Sequence, residues 1–289
     1  MKRRTLNGID EDDFIHPRDE EAMKVLRAVP GFEHMVKQLM QHGFEKILAL
    51  QLTGMAVKAG PRQFAPLYER FVRDCEILDM PVPDLYIVNS PIPNAWTYGE
   101  TQPLVGITSG LVALMDEDEV DFVIGHELGH IKCHHVLYRV VAENMKKILE
   151  IVGELTLNIG QVVGMGLSIP LYDWYRKAEL SGDRAGLLVV QNEEVALRTM
   201  MKMAAGSREM ADQMNLNAFM VQAREYEEAD EELETFYKFL ITAWRTHPMT
   251  VMRAKHIDEW IRTGGYSETL SGPRLLSPPD PDLEPHKTL

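Results

Sequence analysis

The pentapeptide His126-Glu127-Leu128-Gly129-His130 constrains this chain more than any other stretch, because it asks for a helix and a metal ion together. Two histidines four apart on an α-helix stand one turn apart on the same face, separated by about 6 Å of rise. Their imidazoles can converge on one tetrahedral ion, with zinc–nitrogen bonds of about 2.0–2.1 Å. Glu127, one step round the helix, then lies beside the ion's open position, where a water would sit. Two ligands, a base and an activated water are what a zinc peptidase needs.

The rival reading is a helix that carries His, Glu and His by chance, and its surroundings argue against it. Val120, Phe122, Val123, Ile124, Leu128 and Ile131 make the flanks apolar, so the helix is expected to be buried and its polar residues to need partners. Asp116 and Glu119 form an Asp-x-x-Glu start signal that puts the pentapeptide about two turns into the helix.

A catalytic zinc takes three protein ligands and leaves one position for water. One extended pattern places a third His ten residues after the first, with a Gly three residues before it. Those positions are Val136 and Cys133, which excludes that class. The other common solution is a carboxylate from a later helix. Glu179, in Lys177-Ala178-Glu179-Leu180-Ser181-Gly182-Asp183-Arg184-Ala185, is the candidate, with Asp183 one helical turn further on the same face. Such an Asp can accept the free ring N–H of a ligand histidine. Spacing alone equally allows a solvated acidic face pairing with Arg176 or Arg184.

Composition sets the outer limits. A chain of 289 residues with 45% apolar content can bury a sizeable core. Its formal charge of −14 argues against nucleic acid or an anionic membrane surface as the main partner. Two cysteines, Cys75 and Cys133, make no disulfide framework, which suits a reducing compartment. Lys2-Arg3-Arg4 is followed by Asp10-Glu11-Asp12-Asp13 rather than an apolar run, so no secretory signal is read and a cytoplasmic, soluble protein is expected. Segment 148–172 is long and glycine-rich, but Glu150, Glu154, Asn158, Gln161 and Pro170 interrupt it. It reads as a buried or interfacial amphipathic helix and loop, with peripheral membrane contact left open and a membrane span disfavoured.

Along the chain, residues 1–15 are charged and expected to be loose. Helical spacing runs through 18–79 with breaks at Pro30-Gly31 and Gly60-Pro61, giving about three helices, one of them a core helix over 47–59. Residues 85–88 and 104–108 read as short strands, and 94–99, after Pro91-Ile92-Pro93, as an edge strand. Helices resume at about Ser109 and continue over 171–191, 193–204, 208–245 with breaks, and 248–263. The result is a mainly helical α+β domain with a small sheet beside the metal-binding helix.

Taken as an ordered set, the pentapeptide, Glu179-x-x-x-Asp183, Asn94-Ala95-Trp96 and His247-Pro248 followed by Arg253 resemble the HtpX and CAAX-prenyl-endopeptidase family of gluzincin metallopeptidases. The resemblance spans roughly 68–262. It implies a zincin-like metallopeptidase domain with a small mixed sheet, one zinc per chain held by His126, His130 and Glu179, and Glu127 as general base. It implies that Asn94 and Ala95 bind an extended protein or peptide substrate by strand addition. It also implies that His247 stabilises the oxyanion or caps the zinc as a latch, although residue type and position alone suggest a helix-cap histidine. Arg253 then supports the site by pairing with a carboxylate, Asp183 being the candidate. Cys133 and His134 are read as packing or meeting solvent. His135 is read as structural, on the opposite helical face, and the seventeen methionines as adaptable core.

The expected organisation is a helical segment over 1–67 packing on a zinc metallopeptidase domain over 68–265, then a proline-rich disordered tail over 266–289. The expected activity is zinc-dependent endoproteolysis. Its alternative is a latched, chaperone-like or regulatory zinc protein with little constitutive proteolysis.

Overall fold

A computed structural model of the chain describes residues 3–32, 34, 36, 50, 53–99, 102–155, 159–206, 208, 210, 213–231 and 250–272. Its centre is helix α4, Glu117–Lys132, which carries the pentapeptide and is buried along almost its whole length. The numbered helices before it are α1 (Pro17–Arg27), α2 (Ala65–Ile77) and α3 (Ser109–Leu114), and those after it are α5 (Val136–Leu155), α6 (Ile159–Val190), α7 (Glu193–Ala205), α8 (Leu216–Glu231), α9 (Thr250–Arg262) and α10 (Gly265–Leu270). The start of α4 is set as the sequence indicates: the Glu119 carboxylate accepts the Asp116 backbone N–H at 2.8 Å. Glu119 is fully buried and also accepts Lys202 at 2.7 Å and Arg198 at 2.8 Å. One carboxylate therefore caps the start of α4 and ties it to α7.

The antiparallel contact of α4 with α6 is made over small residues. A Cβ on Gly129 would lie 2.5 Å from the Ala185 Cβ, and one on Gly125 would lie 2.8 Å from the Val189 Cβ. From the other side, a Cβ on Gly182 would lie 2.7 Å from the His126 ring. A Cβ does not fit at Gly125, Gly129 or Gly182, and its absence at these three positions brings the α6 carboxylates within reach of the α4 imidazoles.

A four-stranded sheet lies beside α4: β1 (Ala56–Lys58), β2 (Asp84–Val88), β3 (Ala95–Tyr98) and β4 (Leu104–Thr108), in the order β1-β2-β4-β3. It is mixed: β2 and β4 run parallel, with Asp84 opposite Leu104, while β1–β2 and β3–β4 are antiparallel. Ala95 and Thr97 of the edge strand β3 are buried and Trp96 and Tyr98 half-buried, a period-two pattern that turns Thr97 toward α4. The architecture is the mainly helical α+β zincin-like fold with a small mixed sheet that the sequence indicates.

The core falls into two clusters. One gathers the sheet with α2, α4, α7 and α9, and the other gathers α1, α5 and the first half of α6 around Trp174, Leu26 and Tyr138. Helix α6 serves both, with Ala178 in the second cluster and Ala185 in the first, so Glu179 and Asp183 fall where they meet.

Five expectations are corrected. Residues 1–15 are anchored: Leu6, Ile9 and Phe14 are buried, and the Arg3 guanidinium meets Asp118 at 2.6 Å and Asp121 at 2.8 Å. Their charges have ion-pair partners far along the chain, which composition does not reveal. Within the expected core helix over 47–59, residues 56–58 form β1, because three residues paired to β2 are too few to show a periodicity. The boundary at 67 cuts through α2, which packs on α4. Pro170 lies inside α6 rather than breaking it; a proline there removes one backbone hydrogen bond, but Leu171, Trp174 and Ala178 immediately after it are fully buried. The expected tail also begins late, since 265–270 is helical with Tyr266 buried against Trp260 at 5.6 Å; residues 273–289 lie outside the described part. No described helix is long and apolar enough to cross a membrane.

Candidate active site

His126 and His130 bring their Nε2 atoms within 3.1 Å of each other on the face of α4 that meets α6. Glu179 of α6 completes the set, with Oε2 3.6 Å from His126 Nε2 and Oε1 3.4 Å from His130 Nε2. Ligands at the corners of a tetrahedron around zinc stand about 3.3 Å apart for bonds of about 2.05 Å. Both histidine nitrogens stand at about that spacing from each other and from one or the other Glu179 oxygen, and the donor set of two imidazoles and a carboxylate suits zinc. All three residues are buried, and among the described residues they form the one group of three His, Cys, Asp or Glu side chains close enough to share a metal.

Each member is held from behind. His126 Nδ1 lies 3.0 Å from Asp183 Oδ1. Arg253 of α9 forks onto Asp183, donating from Nε to Oδ2 at 2.7 Å and from Nη2 to Oδ1 at 2.5 Å, and reaches Glu179 Oε2 with Nη1 at 2.9 Å. Burial works against charge on Asp183, but the Arg253 guanidinium and the His126 N–H outweigh it and hold the carboxyl below its usual range. Arg139 of α5, itself buried, donates to Glu179 Oε1 at 2.9 Å. Burial also opposes charge on His126, yet the facing Glu179 and Asp183 raise it to about 9. His130, buried beside Arg139, is pushed well below the ordinary histidine value.

Glu127 is fully buried, and its Oε2 accepts the Thr97 hydroxyl at 2.6 Å. The edge strand thus touches the side chain next to the metal position. A cavity of about 110 Å³ opens there, lined by Ala95, Phe122, Val123, Met200, Met203 and Thr250, with His126 and Glu127 in its wall. Asn94 sits just ahead of β3, its N–H donating to the Thr108 hydroxyl at 2.9 Å and its C=O accepting the Thr108 N–H at 3.0 Å.

With this geometry in place, comparison with known proteins is direct. The sequence matches Peptidase family M48 over residues 61–261. The chain belongs to peptidase family M48. It is therefore an HtpX-like zinc-dependent metallopeptidase. It is 37% identical over 268 residues to Plastoglobule-localized metallopeptidase 48, chloroplastic, of Arabidopsis thaliana, covering 92% of this chain and 77% of that protein. It is 29% identical over 93 residues to the Protease HtpX homolog of Thermodesulfovibrio yellowstonii and 32% identical over 114 residues to Protease HtpX of Nitrosococcus oceani. Those two matches span 33% and 38% of the relatives' own length. No solved structure matches the chain.

Of the residues singled out from sequence, His126, Glu127, His130, Glu179, Asp183 and Arg253 converge, and Ala95 lines the cleft. His247 lies outside the described residues. Cys133 caps the end of α4 with a buried thiol, which burial pushes well up, and takes no part in the ligand group. His135 needs correction. It is not on the far face of α4, because the helix ends at Lys132 and the chain turns at His134, whose φ of 54° is left-handed; His135 then returns its Nδ1 to 3.0 Å from His130 Nδ1. No local sequence pattern singles out Asp19, Thr97 or Arg139. Each comes from an element distant in sequence from α4 or from a helix whose face cannot be oriented without its partners.

Proposed function

We propose that the chain is an endopeptidase that binds one zinc through His126 Nε2, His130 Nε2 and Glu179 and uses Glu127 as its base. The observation that carries this reading is the convergence of two imidazole nitrogens 3.1 Å apart with the two oxygens of one carboxylate, 3.6 Å from His126 Nε2 and 3.4 Å from His130 Nε2, and with Glu127 one residue along the same helix. Bound zinc would polarise the scissile carbonyl and lower the pKa of water at its open position. Glu127 takes the proton of the attacking water and delivers it to the leaving amine, while Thr97 fixes the orientation of the carboxylate. Asp183, clamped by Arg253, holds His126 in the tautomer whose Nε2 lone pair is available.

Substrate backbone extends along β3 at Ala95, beside Asn94, whose own backbone groups are bonded to Thr108, because β3 is an edge of the described sheet and its Thr97 reaches Glu127. Phe122, Val123, Met200 and Met203 form the apolar part of the adjoining cavity's mixed lining and favour an aliphatic side chain next to the cleaved bond. A membrane-associated setting is part of the proposal and rests on the name of the Arabidopsis relative. His247 remains the residue on which a latched form would depend.

The decisive experiment compares cleavage of an unfolded protein by zinc-loaded wild type and Glu127→Gln at equal zinc content. Loss of roughly 10²-fold or more in the variant is expected. Equal rates would overturn the assignment of the base.

A further inference from the structure

Asp183 accounts for the ring nitrogen of His126 that faces away from the metal position. The corresponding nitrogen of His130 has a different neighbour. His130 Nδ1 lies 3.0 Å from His135 Nδ1, and His135 Nε2 lies 3.2 Å from Asp19 Oδ2. His130 and Asp19 are fully buried and His135 is 2% exposed. Asp19 is fixed in turn by Trp174, whose indole N–H reaches Oδ1 at 2.9 Å, and by the Ser181 hydroxyl on Oδ2. The Trp174 ring also packs edge-on against His135 at 5.5 Å.

Two ring nitrogens facing each other at hydrogen-bond distance must divide the roles of donor and acceptor. If the Nε2 lone pair of His130 points to a metal, its proton is on Nδ1, and that N–H donates to His135 Nδ1. His135 then carries its own proton on Nε2, where the Asp19 carboxylate accepts it. This single arrangement of protons satisfies all three contacts, and a protonated His135 would leave two donors face to face.

We propose that Asp19, acting through the neutral imidazole of His135, is a positioning residue for the metal ligand His130. The inference rests on the reading of His130 as a ligand through Nε2. Asp19 belongs to α1, outside the 61–261 span that matches the family, so the N-terminal helix is part of the metal centre's support rather than an appendage to it. The carboxylate fixes the His135 tautomer, and His135 fixes the ring orientation and tautomer of His130.

The test is zinc affinity, measured by chelator competition on the full chain, for wild type, Asp19→Asn, His135→Phe and the double variant. His130→Ala serves as the reference, and Leu26→Ala loosens α1 without touching the three-residue chain. Asp19→Asn and His135→Phe are each expected to weaken zinc binding roughly 10- to 100-fold. The double variant should be no weaker than the more impaired single one, because Asp19 acts only through His135. Leu26→Ala should lower thermal stability and leave zinc affinity within about twofold of wild type.

Wild-type affinity in Asp19→Asn, or an equal loss in Leu26→Ala, would overturn the proposal. If His130→Ala itself retained wild-type affinity, the ligand assignment would have failed instead. A measurement on the unmodified protein covers variants that do not fold: nitrogen NMR of histidine-labelled, zinc-loaded wild type should show His135 neutral with its proton on Nε2. A proton on Nδ1, or on both nitrogens, contradicts the chain.

Discussion

The two imidazoles of α4 are alike in sequence and unlike in how they are held. His126 meets a carboxylate directly, and that carboxylate is clamped by the Arg253 guanidinium. His130 meets another imidazole, and its carboxylate lies one side chain further away, on α1. The first support is ionic and comes from α6 and α9 inside the matched family span. The second is relayed through a neutral ring and depends on an element outside it. A direct ion-backed contact and a relayed one should differ both in strength and in what disturbs them.

The largest effect is expected at the ionic side. Asp183→Asn removes the acceptor for His126 and leaves Arg253 with half its neutralisation in a buried site. Zinc affinity should fall roughly 100-fold and unfolding free energy by about 3 kcal/mol, measured by chelator competition and denaturant titration. If Asp19→Asn proved the more damaging of the two, the ranking of direct over relayed support would be reversed.

Next comes Gly182→Ala, which adds a methyl whose three nearest atoms all belong to the His126 ring, the first at 2.7 Å. Displacing that ring should lower proteolysis roughly 100-fold while costing about 1–3 kcal/mol of stability. A crystal structure of the variant with His130 unmoved and His126 shifted would show that the two ligands are held independently.

A smaller effect separates the two sides by pH. His16 caps α1 and packs edge-on against His256 of α9 at 5.2 Å. Burial, then the charges of Arg184 and Arg18, lowers His16 to about 3; burial and Arg18, despite Glu259, lower His256 to about 4. Unfolded histidines protonate near 6.5, so below that pH the unfolded chain binds more protons and stability falls as pH drops. At pH 5 each histidine should cost about 1–2 kcal/mol relative to pH 7, a loss measured by denaturant unfolding. Replacing His16 with Asn, which keeps a capping side chain, should remove its share. If that variant lost stability between pH 7 and 5 as steeply as wild type, His16 would not be the sensitive contact at the α1 junction.

What could be read from sequence follows from distance along the chain. The pentapeptide, the start of α4 at Asp116 and the Glu179–Asp183 pair are local patterns, spaced by the 3.6-residue turn, and they reappear as drawn. The strands over 85–88 and 104–108 and the edge strand at 94–99 were legible for the same reason, through alternation and proline placement. The anchoring of residues 3–14 and the strand at 56–58 were not, since each depends on a partner elsewhere and neither has a period of its own.

The sequence by itself determined that two imidazoles share one face of a buried helix with a glutamate one step round from them, because the α-helix fixes that geometry from covalent structure alone. Only the tertiary structure decided what stands behind them. Asp183 reaches His126 across 57 residues and Arg253 reaches Glu179 across 74, through a glycine seam and a helix face that no local pattern orients. His135 shows the boundary between the two within a few residues: its helical position predicts one face, and the end of α4 at Lys132 sends it to the other.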